Sequence, residues 1–507
     1  MSDVTRKGFL GLGAAAAASS LGACATTGTA TPTRVGPAHR TLIRGADVLT
    51  MDPALGEAPG TDVLLENGTI AAIGKNLSAD DAEIIDASGM ILMPGMSDGH
   101  RHVWEGLEAG RLVKTEPQRY ATYQTWKMRV MVCLTPEDHY LGGYLGGLQA
   151  IDSGVTSLID YAHCQYTQER SASAARGLKD SGIGGWYCHQ VSHTPTYGPG
   201  DTISLEAASG QRGQLSEERH WRIADYIKSN VLSDPDAPLQ MGVALSNGVF
   251  GAPMSVARSE FERARAMDMR MILLHSHRPE TPYPEGHFGA RDSGILDLRD
   301  AGLLGPDFHL AHGNSLTEDE LRVMAEHETM LCATAMGEFP YPAAGRDPSS
   351  HGRARRAGVP TGIGIDVTVA LNQDYFEHCR AAFWSLYMSP EGREIATDYK
   401  SEDTLDFATR LGAKSIRLGD VAGTVSVGKR ADLVLLKTDR IDFALLGSLA
   451  DRVLNFAKLQ DIDSVWVAGR AMKRNGAMIG IDWISLKRQL IATQTRVTEQ
   501  MATITFT

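Results

Sequence analysis

The feature that most constrains this chain is an alternation. Eight apolar runs of strand length recur at residues 90–93, 155–159, 182–187, 239–245, 271–274, 308–310, 330–332 and 361–365. Segments between and after them, such as 136–153, 217–231, 255–267, 317–327 and 375–387, carry apolar residues at helical spacing, with N-cap signals at Thr135 and at residues 315–317. Consecutive strands joined through a helix pair in parallel, because the connection has to cross over the sheet. Eight such units predict a mixed α/β chain folded as a (β/α)8 barrel of the TIM type, with functional side chains at the C-terminal ends of the strands.

The flanks follow a different pattern. Residues 41–51, 62–66, 69–74 and 83–86 read as short strands, with Asn67-Gly68 as a hairpin turn, and similar material returns at 431–436 and 464–467. The two chain ends are therefore expected to build one small β-sandwich together. The expected division is an export signal at 1–24, a linker at 25–40, the N-terminal half of the sandwich at 41–93, the barrel at 94–418, the C-terminal half of the sandwich at 419–480 and a C-terminal helix at 481–507. That last helix is amphipathic and could serve a subunit contact in a homo-oligomer or simply cover the barrel.

Imidazoles and carboxyls gather where the barrel runs stop. The first run leads into Pro94-Gly95-Met96-Ser97-Asp98-Gly99-His100-Arg101-His102, and side chains two apart in an extended strand point the same way, so His100 and His102 can reach one cation. The fifth run ends His275-Ser276-His277-Arg278-Pro279-Glu280-Thr281, the sixth holds His309 and His312, and the eighth ends at Asp366. Any one of these is more simply a hydrogen-bonded core histidine or a capping aspartate. Chance does not readily place all of them on one rim of the barrel while sparing the other.

These motifs, in this order, resemble the amidohydrolase superfamily, and within it the branch of cytosine and guanine deaminases and triazine hydrolases. The likeness extends to Gly419–Val434, whose Gly428-Lys429-Arg430-Ala431-Asp432-Leu433-Val434 is similar to the stretch with which those enzymes re-enter their sandwich. The resemblance implies one divalent cation, Zn or Fe, held by His100, His102, His277 and Asp366, with Glu280 as proton shuttle and His312 touching substrate and the attacking water. His277 is preferred to His275 because a glutamate follows it three residues on, and His312 to His309 by its spacing to Thr317–Glu320. The fourth run has no lysine, where two-metal members carry a bridging one.

Three imidazoles and a carboxylate suit a borderline cation and leave a position for water, whose pKa falls toward about 7. Asp366 can also take the water's proton, Glu280 can pass a proton to the departing nitrogen, and His312 can polarise the substrate. The expected activity is hydrolysis of a non-peptide carbon–nitrogen bond in a small molecule, by an aryl amide or urea amidohydrolase or a heterocycle deaminase. A dehalogenating hydrolase of the triazine type and a non-catalytic surface-binding lipoprotein are the competing readings. Two departures bear on substrate: residues 333–342 lack the family's N-P-x-x-N pattern, and the first motif reads H-R-H-V-W. Trp104, with Trp186 and Tyr187, is expected to form an apolar wall against substrate.

Composition narrows the partners. A formal charge of −12, from 49 Lys plus Arg against 61 Asp plus Glu, speaks against nucleic acid and anionic lipid surfaces. Arg6 and Lys7 precede an apolar run too short to span a bilayer, and Leu21-Gly22-Ala23-Cys24 resembles a lipobox, so the chain is expected to be exported and either periplasmic or membrane-anchored through lipidated Cys24. The other five cysteines show no C-x-x-C spacing and read as buried thiols.

Overall fold

The computed structural model describes residues 40–112, 119–276, 283–291, 293–338 and 349–507. Cys24 and the export signal, nearly all of the linker, and His277 and Glu280 lie outside the described residues.

The first five strands, β1 (Thr41–Leu49), β2 (Glu57–Glu66), β3 (Thr69–Gly74), β4 (Glu83–Asp86) and β5 (Ile91–Pro94), stay out of the barrel. They join one hydrogen-bonded sheet with four strands from the far end of the chain. The run at 90–93, counted in the alternation with the barrel strands but placed by the expected division in the sandwich, is a strand of this sheet, pairing with β1 and the returning chain. The barrel begins only after Gly95, where a Cβ would lie 2.2 Å from the Thr156 hydroxyl, so the chain passes tightly from one sheet into the other.

Eight parallel strands then make the barrel sheet. In sequence these are β6 (Met96–Arg101), β7 (Val155–Ala162) and β8 (Gly184–Gln190), then, after the short β9 (Thr202–Ile203), β10 (Leu239–Ala244), β11 (Ile272–His275), β12 (Phe308–Ala311), β13 (Met330–Ala333) and β14 (Thr361–Ile363). Their spatial order runs from β14 back to β6 without a crossover. Period-two alternation sorts each strand: Ile272 and Leu274 pack outward beneath the helices, whereas Leu273 joins Ile159, Tyr161, Trp186, Cys188 and Ala244 in a separate apolar cluster that fills the barrel. The expected helices form with their caps, including reciprocal capping boxes at Thr135–Asp138 and Thr317–Glu320.

The returning chain adds β15 (Leu433–Leu436), β16 (Ile462–Val467), β17 (Arg470–Arg474) and β18 (Ala477–Met478) to the first sheet, antiparallel from β5 outward. The expected sandwich is realised as one nine-stranded sheet whose two halves share a core, with Ile43, Val63 and Leu65 from one end and Leu433, Leu435 and Trp466 from the other. The final helix, Trp483–Ala502, covers the chain's own surface: Gln494 donates to the Leu107 carbonyl at 2.6 Å, and β19 (Thr505–Phe506) pairs with β9. Among the described residues no helix is long and apolar enough to cross a membrane.

One buried acid makes the fold pH-sensitive. Burial pushes the Glu260 carboxyl up to about 7, against a hydrogen bond from Ser216 at 2.6 Å. A carboxyl that holds its proton more tightly when folded stabilises the chain below its ordinary range and loses that contribution as pH rises toward 7. Glu260→Gln should therefore raise the melting temperature at pH 8, by the equivalent of up to roughly 3 kcal/mol, and leave it unchanged at pH 4; differential scanning fluorimetry at both values checks this.

Candidate metal and active site

At the C-terminal rim of the barrel five donors converge. His100 and His102 come from β6 and the residue after it, His275 ends β11, His312 follows β12 and Asp366 follows β14. Two overlapping groups, His100–His102–His275 and His100–His312–Asp366, each bring their ligand atoms within 4.8 Å of one another. The Asp366 Oδ1 lies 3.2 Å from His100 Nε2 and 3.4 Å from His102 Nε2. Tetrahedral ligands about 2.1 Å from a zinc ion lie roughly 3.4 Å apart, so this spacing fits such a cation.

The local backbone explains why these side chains meet. Asp366 N–H donates to the His100 carbonyl at 2.9 Å, and His102 N–H donates to the Asp366 carbonyl at 3.1 Å, so one parallel bridge brings the carboxylate to the two imidazoles. Gly364 permits the approach, since a Cβ there would sit 2.7 Å from the His100 backbone. Below, Asp98 accepts from the Ile365 and His100 amides and from Arg101 Nε, tying the first and last strands through a fully buried ion pair. His312 has φ +74° and Asp366 φ +71°, conformations that side-chain-bearing residues adopt at a cost of about 1–3 kcal/mol.

The electrostatics favour neutral imidazoles around one anion. Burial lowers the His100 pKa to about 4 and that of His275 well below its usual value. Burial alone would raise Asp366, but hydrogen bonds with His100 and His102 and the neighbouring His312 hold it well below the ordinary carboxylate range. Nδ1 of His100 and Nε2 of His275 are buried without a hydrogen-bond partner, and His100 Nε2 meets only the Asp366 carboxylate. Such orphaned lone pairs are costly unless a cation takes them.

Supporting groups orient the donors as outer shells of metal sites do. His102 Nδ1 donates to the Tyr161 carbonyl at 3.0 Å, which turns Nε2 toward the cluster. His312 Nδ1 lies 2.8 Å from the Thr334 hydroxyl and 3.1 Å from the buried Glu338 carboxylate, and Thr334 itself donates to Glu338. Tyr161 stacks on His275 with centroids 4.1 Å apart. The cluster forms the floor of a cavity of about 670 Å3, whose wall includes Lys127, His163, Gln190, His193 and Asn314.

Of the residues singled out in the sequence, His100, His102, His312 and Asp366 are brought together. His275, the alternative at the fifth strand end, also stands in the cluster; His277, the histidine preferred there, lies outside the described residues. Trp104 does not line the cavity: it is buried behind the wall, stacked on Trp126 and donating its indole N–H to His163 at 3.0 Å. Trp186 is likewise a packing residue, bonded to the Ile416 carbonyl at the opposite side of the barrel core, and Tyr187 is buried against Ser171. Glu338, Tyr161 and His163 went unread. For Glu338 a signal existed, a lone acid after the seventh strand end, but nothing in the spacing tied it to His312.

The Amidohydrolase family pattern matches residues 91–472, more than half of the chain. A 5'-deoxyadenosine deaminase of Methanosarcina acetivorans is 26% identical over 87% of this chain and 94% of that one. A 5-methylthioadenosine/S-adenosylhomocysteine deaminase of Desulforudis audaxviator is 25% identical over 91% of this chain and 100% of its own length. Among solved structures, an adenosine deaminase of Xanthomonas campestris with bound zinc superposes with a TM-score of 0.75 at 21% identity, covering 90% of this chain and 98% of that one. An atrazine chlorohydrolase of Arthrobacter aurescens complexed with zinc and atraton gives 0.73 at 16% identity, covering 89% and 99%.

The chain belongs to the amidohydrolase family. It is a metal-dependent hydrolase of non-peptide carbon–nitrogen bonds in small molecules.

The competing histidines of the fifth strand can be told apart by metal content. His275→Ala should lower affinity for a divalent cation at least ~10-fold, whereas His277→Ala should retain the metal; metal analysis of both proteins after dialysis decides, and the reverse result would make His277 the ligand.

Proposed function

We propose that this amidohydrolase is a deaminase of an amino-substituted heterocycle of about nucleoside size, working with a single zinc ion held by His100, His102, His275 and Asp366. The observation that carries the reading is the pair of overlapping donor groups at the cavity floor, His100–His102–His275 and His100–His312–Asp366, with the Asp366 carboxylate 3.2 and 3.4 Å from His100 and His102. The cavity volume of about 670 Å3 lies within the range of small-molecule pockets. Zinc in the similar adenosine deaminase and chlorohydrolase supports zinc here, and the names of the two deaminase relatives support ammonia as the leaving group.

A bound divalent cation supplies Lewis acidity, bringing the pKa of water down toward about 7. The protein's residues do the rest. Asp366, held ionised by His100 and His102, accepts the proton of the attacking water. His312, with Nδ1 directed at Glu338, orients its other nitrogen toward the reacting centre, and the Glu338 carboxylate stabilises positive charge on the ring. Glu280 is the carrier that protonates the ring nitrogen and then the departing amine. Water's oxygen replaces the amino group at carbon, and ammonia leaves.

The test is product analysis. The purified zinc-loaded chain should release one ammonium per turnover from a panel that includes adenosine, 5'-deoxyadenosine and amino-triazines. An aryl amide or urea cleaved to acid and amine, with every aminoheterocycle inert, would replace this reading by the amidase one. Asp366→Asn should lower kcat by about 10^2- to 10^4-fold with unchanged circular dichroism, because asparagine tolerates the left-handed backbone conformation of this position.

A further inference from the structure

One buried donor on the cavity wall has no role in the proposed chemistry. His163 follows β7, where its backbone N–H closes a tight turn onto the Tyr161 carbonyl at 2.9 Å, and the next residue, Cys164, has φ +77°. This turn lays the His163 ring flat on His102, with centroids 4.0 Å apart and planes 16° from parallel. The Trp104 indole N–H donates to His163 Nδ1 at 3.0 Å, and the Cys164 thiol lies 3.3 Å from the same nitrogen.

An indole nitrogen is a donor only, so the nitrogen it meets must offer a lone pair. The ring proton of His163 is therefore on Nε2. That nitrogen is buried and has no hydrogen-bond partner, although His163 lines the cavity beside His102, His275, His312 and Asp366. One ring face is covered by His102 and the Nδ1 edge is held by Trp104, which leaves Nε2–H as the unpartnered polar group of a ring that lines the cavity. Buried donors without partners are rare in native proteins and recur where a ligand supplies the acceptor.

We propose that His163 is a specificity-determining residue: its Nε2–H donates a hydrogen bond to a ring nitrogen or carbonyl oxygen of the substrate, and Trp104 is the positioning residue that fixes the donating tautomer. The inference rests on the proposed reaction occurring at the floor of this cavity, not on the identity of the leaving group. It implies that a substrate offers a hydrogen-bond acceptor on the side of the cation site nearest β7, and that an analogue with carbon in place of that acceptor leaves the donor unsatisfied.

The zinc-loaded full chain tests this with His163→Phe, His163→Gln and Trp104→Phe. Glutamine can place an N–H near the Nε2 position, whereas phenylalanine fills the space without a donor. On any compound of the panel that is turned over, ammonium-releasing or not, His163→Phe should lower kcat/KM about 10- to 100-fold, mainly through KM, and His163→Gln should recover most of the loss. If adenosine is turned over, the wild-type protein should reject one of its 1-, 3- and 7-deaza analogues, and His163→Phe should not. Nitrogen-15 spectra of histidine-labelled protein should show Nε2–H at His163, and Trp104→Phe should mix the tautomers. Zinc content should stay at the wild-type value in all three variants. Equal kcat/KM for His163→Phe and wild type, a proton on Nδ1, or loss of zinc on His163 substitution would each overturn the proposal. An amidase product would overturn the deaminase reading while leaving the phenylalanine-to-glutamine comparison intact.

Discussion

A parallel barrel has to join its last strand to its first, and here that junction is also the site. The backbone of Asp366 exchanges two hydrogen bonds with the His100–Arg101–His102 segment, at 2.9 and 3.1 Å. The same bridge that closes the ring sets a carboxylate oxygen 3.2 and 3.4 Å from two imidazole nitrogens. Fold and chemistry are thus coupled through one peptide unit. Asp98 reinforces it from below by accepting the amides of both strands while paired with fully buried Arg101, whose other arm reaches Gln373 at 2.8 Å. Removing one partner of a buried pair of this kind leaves an uncompensated charge and is strongly destabilising, so the closure is fixed by electrostatics as well as by the sheet.

Above that junction the polar groups are arranged around a positive charge that the protein does not itself provide. Among His100, His102, His275 and His312, neighbouring ring centroids lie 5.0 to 5.8 Å apart, an arrangement that protonated rings would oppose by mutual repulsion. Burial keeps His100 and His275 neutral, and the Tyr161 carbonyl fixes the tautomer of His102. His312 differs, because its Nδ1 meets a carboxylate rather than a carbonyl. That carboxylate, with the Thr334 hydroxyl, fixes the orientation of the His312 ring and so directs its other nitrogen.

The sequence made the barrel and most of the site legible because both follow short periods. Alternation of apolar runs with helical segments locates the strands, and the H-x-H pair needs only the two-residue repeat of an extended chain. The spacing that favours His277 looks along the chain to Glu280, and both lie outside the described residues; the described histidine, His275, is placed by where β11 ends, since Leu273 and His275 share the interior face and His275 is its last residue. Residues 90–93, which fit the alternation of barrel runs but fall in the sandwich, show the limit of such patterns. An all-buried strand reads alike in either sheet, and only the tight passage at Gly95 separates them. Glu338 and His163 act through partners 26 and 59 residues away, His312 and Trp104, and no local period encodes those contacts.

His312 shows how a strand-built ring acquires a donor that alternation would deny it. In β12, His309 pairs with Leu273 and Ala311 with His275, so the interior face belongs to the odd-numbered residues and the next side chain should turn outward. His309 is indeed sealed within the barrel, its pKa lowered by burial to about 3. The left-handed conformation at His312, held by its own N–H bond to the Cys332 carbonyl at 2.7 Å, reverses that sense and swings the ring to the cluster. Strain of this kind persists only where the surroundings over-determine it. Here they do: Thr334 and Glu338 seize Nδ1 as soon as the ring arrives, so the backbone cost at one residue is offset by a side chain that only this conformation can place against the other four donors.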